Sequence, residues 1–287
     1  MGNETPNTNP LLAGIKNVPG LSIVLPTKAL LYKHGELKES ALKSGELHVF
    51  PMSAKDELVL KSPDLLINGE AITRVVTRCA PEVLKPLDLF QPDMDAILIA
   101  LRISTYGEGL RIQVDNKYYD AKKKGSQEIL EYTVNLKKLL TGGKALTSLS
   151  ECVVKLETGQ KATIQPIRFD LGLQISQEDM DSLSEADDEA KMEMFKKRMQ
   201  TVEDVLLSMI CEIDGISNRE QIKEWFELVP AVIFKTISEK AEEMAVLGPL
   251  TEIEIKDPIS DQKWKTTVPI NPADFFAFGP NTETSKK

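Results

Sequence analysis

The stretch Asp93–Leu140, DMDAILIALRISTYGEGLRIQVDNKYYDAKKKGSQEILEYTVNLKKLL, carries the pattern on which the fold reading turns. Ile97, Leu98, Leu101 and Ile103 recur at helical spacing and give way to Gly107 and Gly109. A helix up to Tyr106 is expected. Leu110–Val114 and Ile129–Val134 read as strands joined by the polar run DNKYYDAKKKGSQ, which makes a hairpin. Asn135–Leu140 reads as a short helical turn. The same order recurs downstream of Pro230. An apolar face of Val232, Ile233, Ile237, Ala241, Met244 and Leu247 stops at Gly248-Pro249. A hairpin follows, Glu252–Lys256 with Lys265–Ile270, and Asn271–Phe276 caps a short helix. Two copies are too few for a solenoid, which needs about three or more. The expected fold is α+β: two similar helix–β-hairpin modules around a helical segment, with a short N-terminal β region.

Working outward, Leu21–Leu25 and Glu46–Phe50 are β-like and flank the polar stretch His34–Gly45. Ser53 stands three residues before Asp56, a variant capping box for a helix through Leu60. After Gly69, Ile72, Val75, Val76 and Cys79 share a helical face. Residues 151–156 and 162–169 alternate as strands around Thr158-Gly159. Glu178–Glu189 then holds seven acids and no base. The next helix repeats Met192, Phe195, Met199, Val202, Leu206 and Met209 at spacings of 3, 4, 3, 4 and 3, and is expected to end at Asp214-Gly215. Ser217–Glu220 reads as a capping box for a helix with Ile222, Trp225, Phe226 and Val229, interrupted at Pro230. This divides the chain into a flexible arm (1–20), an N-terminal module (21–145), a β-hairpin connector (146–175), a C-terminal helical module with a hairpin (176–279) and a flexible tail (280–287).

A chain of 287 residues makes one large or two modest domains. Its longest apolar run, Ala96–Leu101, is far short of the roughly 20 residues a membrane helix needs. The N-terminus lacks the basic start and apolar core of a secretory leader, and Pro6 stands where myristoylation wants Ser or Thr. The 35 basic and 44 acidic residues give −9, which argues against a general nucleic-acid binder. Cys79, Cys152 and Cys211 are odd in number and far apart, so a reducing compartment fits better than a disulfide framework.

The chemistry-bearing residues are sparse. Thr141–Ala145 has Lys138 where a phosphate loop needs glycine, and Ala145 where it needs Ser or Thr, so it reads as a turn. Lys122–Lys124, beside Tyr118 and Tyr119, reads as a solvated hairpin tip, with nucleic-acid contact as the alternative. The 178–189 acids lack the spacing and central glycine of an EF-hand. They read as a solvated approach to a helix N-terminus, with a metal-dependent hydrolase as the alternative. His34 and His48 lie in different segments, and no Ser or Cys has a nucleophile context. Cys79 and Cys211, on apolar helical faces, and Cys152, opening a strand, act as small hydrophobes. No catalytic residue, metal ligand or cofactor is expected. The stripe Met192, Phe195, Met199, Val202, Leu206, Met209 and the pair Trp225, Phe226 read first as core. A partner-binding surface is the alternative, since methionine adapts to imperfect contacts.

Several strings carry a family resemblance. Leu25-Pro-Thr-Lys-Ala-Leu-Leu-Tyr32 and Glu46–Glu57 (ELHVFPMSAKDE) resemble the opening of a T-even-type phage baseplate family. Asn68–Ile72, Asp95–Ile103, Thr105–Gly107, Ile213–Gly215, Arg219–Trp225 and Asn271–Phe276 follow in the same order, so the resemblance spans Leu21 to Gly279. Similar proteins often carry Cys-Pro-x-Cys knuckles in their hairpins. The matching stretches here, Asp115–Gln127 and Lys256–Lys263, have no cysteine, so no zinc is carried over. These hairpins must hold by packing, with Tyr118, Tyr119, Tyr132 and Trp264 as candidates. The resemblance implies a non-enzymatic role in contractile-tail morphogenesis, as baseplate hub assembly factor or hub component. It implies other hub or tail proteins as partners, the tape measure among the candidates, and neither nucleic acid nor membrane. The expected locations are the host cytoplasm during assembly and the virion tail.

Overall fold

A computed structural model describes residues 19–62, 65, 69–120, 122–174, 188–270 and 275–276. Most of the proposed arm, the tail, and residues 175–187 of the acidic approach lie outside the described residues. Leu21–Val24 (β1) and Glu46–Val49 (β2) pair antiparallel, Leu21 against Val49. They do so because Ile23, Leu47 and Val49 share a buried face. Glu39–Ser44 (α1) lies between them in sequence. Ala54–Leu60 (α2) begins with the expected capping box, in which the Asp56 carboxylate accepts from the Ser53 N–H at 2.7 Å. Arg78, on Glu70–Cys79 (α3), donates from its guanidinium to the same carboxylate. The buried face of α3 is the expected one, Ile72, Val75, Val76 and Cys79.

The helix Gln91–Tyr106 (α4) is apolar on every side from Ala96 to Leu101, and all six residues are buried. A helix of that kind has no solvent face, so it becomes the centre of the first core. Its buried charged residues, Asp93 and Arg102, are each anchored to other segments. Asp93 accepts from the Thr27 N–H at 2.9 Å, the Thr27 hydroxyl at 2.6 Å and the Tyr32 hydroxyl at 2.7 Å. The Tyr32 oxygen accepts from the Phe90 N–H at 2.9 Å. This network fixes the Leu25–Tyr32 segment, where Lys28 and Ala29 hold φ of 49° and 57°. Arg102 is fully buried. It donates to the Phe275 carbonyl at 2.5 Å and lies 5.5 Å from the Phe275 ring centre, tying the end of the chain to the first core.

Gly109–Asp115 (β3) and Ile129–Asn135 (β4) form the first hairpin, followed by Leu136–Thr141 (α5). Val153–Lys155 (β5) and Lys161–Ile164 (β6) form the next. Asp188–Met209 (α6) runs directly into Ile210–Ile213 (β7), which adds to β6 and makes a three-stranded sheet ordered β5-β6-β7. Arg219–Leu228 (α7) and Ala231–Ala245 (α8) pack with α6 on this sheet around a second core. Glu252–Lys256 (β8) and Lys263–Thr267 (β9) close the order. Helices beside small antiparallel sheets make this the expected α+β fold.

The two hairpins of the repeated units correspond position by position. Asn116 donates its N–H to the Glu128 carbonyl, and Asp257 donates its N–H to the Gln262 carbonyl. Leu136 donates to Glu108 and Val268 to Thr251, so the second hairpin is two residues shorter on each strand. Two residues is one side-chain repeat of a strand, which leaves the inward faces in phase. The equivalent residues Val114 with Ile255, and Leu130 with Trp264, meet in a third small core between the hairpins. Asn116 Nδ2 donates across it to Asp257 Oδ1 at 2.9 Å. Trp264 packs there and meets Tyr118 edge-on at 5.7 Å, whereas Tyr119 and Tyr132 are exposed. The units also join through Lys144 and Gly248, whose backbones exchange hydrogen bonds of 3.0 and 2.8 Å. A Cβ on Gly143 would lie 2.0 Å from the Gly248 carbonyl oxygen, so that crossing needs glycine.

Four local expectations are corrected. The stripe helix ends at Met209, not at Asp214-Gly215, because Ile210–Ile213 pairs with β6. Cys211 consequently sits half-buried on a strand, not on a helical face. Cys152 closes a 3-10 turn, Leu149–Cys152, before β5 begins. The cap of α7 is Asn218, not Ser217: its side chain accepts from the Gln221 N–H at 3.1 Å.

Candidate partner-binding groove

The 3-4 stripe on α6 splits in two. Leu206 and Met209, 8% and 5% exposed, belong to the second core. Met192, Met199 and Val202, at 60%, 55% and 51%, face solvent. The core reading therefore holds for the C-terminal turns and fails for the N-terminal ones. The sheet β5-β6-β7 is short, and it covers only the end of the helix that feeds it. The Phe195 side chain lies outside the described residues.

The exposed part of the stripe forms one wall of a groove of ≈ 630 Å³. Met199 and Val202 supply that wall; Phe226 of α7 and Phe234 of α8 supply the other. Phe226 is buried and tilts against Phe234 at 5.9 Å, while Phe234 is 41% exposed. Pro230 makes this possible. It stands between α7 and α8, where the chain turns and brings Phe234 back beside Phe226. Lys196, Gln200, Glu203 and Glu227 supply the polar part of the lining. Trp225 packs on the second core instead, and Met192 lies about two turns before Met199, toward the N-terminus of α6. Phe234 was missed in the sequence because it adjoins, rather than shares, the face of Ile233 and Ile237.

Other chemistry-bearing groups do not converge. Asp95 lines a cavity of ≈ 310 Å³ with Gln91, Thr251 and Thr267. Burial raises its carboxyl to about 7, and Gln91 Nε2 donates to it at 2.8 Å. Asp93, raised to about 6 by burial, is held by Thr27 and Tyr32. His34 pairs with Glu39 and His48 with Ser22, both at the surface. Among the described residues, no cluster of three or more His, Cys, Asp or Glu side chains is placed to hold a metal. None of their helices is long and apolar enough to cross a membrane. Lys122–Lys124 sit at the exposed tip of the first hairpin. The α6–α7–α8 groove is lined in large part by apolar side chains, three of them open to solvent.

The sequence pattern of the family described as "T4 bacteriophage base plate protein" matches residues 36–277. The chain belongs to this family: it is a T4-type phage baseplate protein. That membership assigns it a structural role at the phage baseplate, with other tail or baseplate proteins as its partners. The Leu25–Tyr32 string lies ahead of the matched span. No curated protein and no solved structure matches the chain.

Proposed function

We propose that this protein works at the baseplate hub, as assembly factor or hub component, by holding a segment of another tail protein in the α6–α7–α8 groove. It makes and breaks no covalent bonds. The observation that carries this reading is the groove itself: Met199, Val202 and Phe234 stay open to solvent on helices that bury Leu206, Ile233 and Ile237 in the second core. Exposed apolar surface of this kind is a liability unless something covers it. Covering it in the free partner, and releasing it on assembly, would require only a difference in affinity between the two states. The tape measure is a candidate cargo, with the host cytoplasm and then the tail as locations.

Co-expression with each tail protein of the same phage, followed by co-purification, tests this. Wild type is expected to carry one tail protein at fixed stoichiometry, and folded Val202→Asp to lose it. Retention of that protein by Val202→Asp, or no stable partner at all, would contradict the proposal.

A further inference from the structure

We infer that the occupant of the groove is an amphipathic helix whose apolar stripe is flanked by lysines or arginines. This rests on the reading above and names the partner's chemistry.

The first support is backbone satisfaction. The groove is lined by α6, α7 and α8, with no strand edge among its lining residues. An extended peptide there would find no ladder for its N–H and C=O groups, whereas a helix satisfies its own. The second is charge. Residues 178–227 hold fifteen acids and six bases, a net −9, and the remaining residues balance at 29 acids and 29 bases. Within it, residues 188–227, which include α6 and nearly all of α7, hold ten acids and six bases, a net −4. The third is pairing. Several acids elsewhere on the surface are neutralised by a base: Glu252 by Lys265, Glu254 by Lys263, Asp56 by Arg78. Among the described residues, Glu203, Glu220, Glu224 and Glu227 have no base within ion-pair distance. Of these, Glu203 on α6 and Glu227 on α7 line the groove, where Lys196 is the one base among the lining residues. Unpaired carboxylates beside an apolar channel complement cationic flanks on an apolar ridge.

Two amphipathic peptides of about 18 residues, long enough to hold a helix, test this. One alternates leucine faces with lysine, the other with glutamate. Both are titrated by fluorescence anisotropy against the full-length protein at about 0.05 and 0.5 M salt, which brackets strong and weak screening. The lysine peptide should bind at least about tenfold more tightly at low salt, an advantage that shrinks at high salt. The preference should invert in the double variant Glu203→Lys, Glu227→Lys. Binding should vanish in Val202→Asp and in Phe234→Asp. Equal affinity for both peptides would overturn the inference. So would lysine-peptide binding that survives Val202→Asp, which would place it on the acidic segment alone. A wild-type dimer dissolved by Val202→Asp would also overturn it, by making a second copy the occupant. If Val202→Asp loses a co-purified tail protein yet the peptides are not distinguished, the groove stands and the basic helix falls.

Discussion

At the scale of single residues, exposure separates positions that look equivalent in a heptad. Leu206→Asp would bury a carboxylate in the second core, at a cost of about 3 kcal/mol or more. Urea unfolding should show that loss or outright misfolding. Met199→Asp, half open to water, should stay within about 0.5 kcal/mol of wild type. Asp95 gives a pH signature. Its folded-state carboxyl titrates near 7, above the ordinary aspartate range, because burial disfavours its charge. The folded state therefore holds a proton that the unfolded state has released, and stability from this residue falls as pH rises between about 4 and 7. Asp95→Asn keeps an acceptor for Gln91 and removes the charge. Its Tm should match wild type near pH 4 and exceed it at pH 8; a constant offset would contradict this assignment.

At the scale of elements, the crossing of the two units and the paired hairpins are the points to break. Gly143→Ala should cost about 1–3 kcal/mol, because its methyl meets a backbone carbonyl that can move only with the whole crossing. Trp264→Ala empties the small core between the hairpins and should cost about 3 kcal/mol. Both are read by chemical denaturation. The twice-repeated order of helix, glycine and hairpin was legible in the sequence because periods of 3.6 and 2 differ sharply over long runs. The strand β7 was not legible. Leu206, Ile210 and Ile213 fit a helix continuing the stripe as well as a strand, and only pairing with Ala162 and Ile164 decides between them. The groove was half legible. Heptad spacing shows which side chains align on α6, not what covers them, and Phe234 reaches the site only through the turn at Pro230.

At the scale of the molecule, family membership gives the setting, and the proposal for how the protein works there rests on the groove. The strings Arg219–Trp225 and Asp95–Ile103, which carried the resemblance, turn out to be α7 beside the groove and the centre of the first core. Their order could be read without a structure; their separate roles could not. Hydrogen–deuterium exchange on the protein alone and bound to its co-purified tail partner measures the central claim most directly. Slowed exchange is predicted in residues 196–207 and 224–236, with the hairpins β3-β4 and β8-β9 unchanged. Protection confined to the hairpins, with the groove helices exchanging as in the free protein, would contradict it.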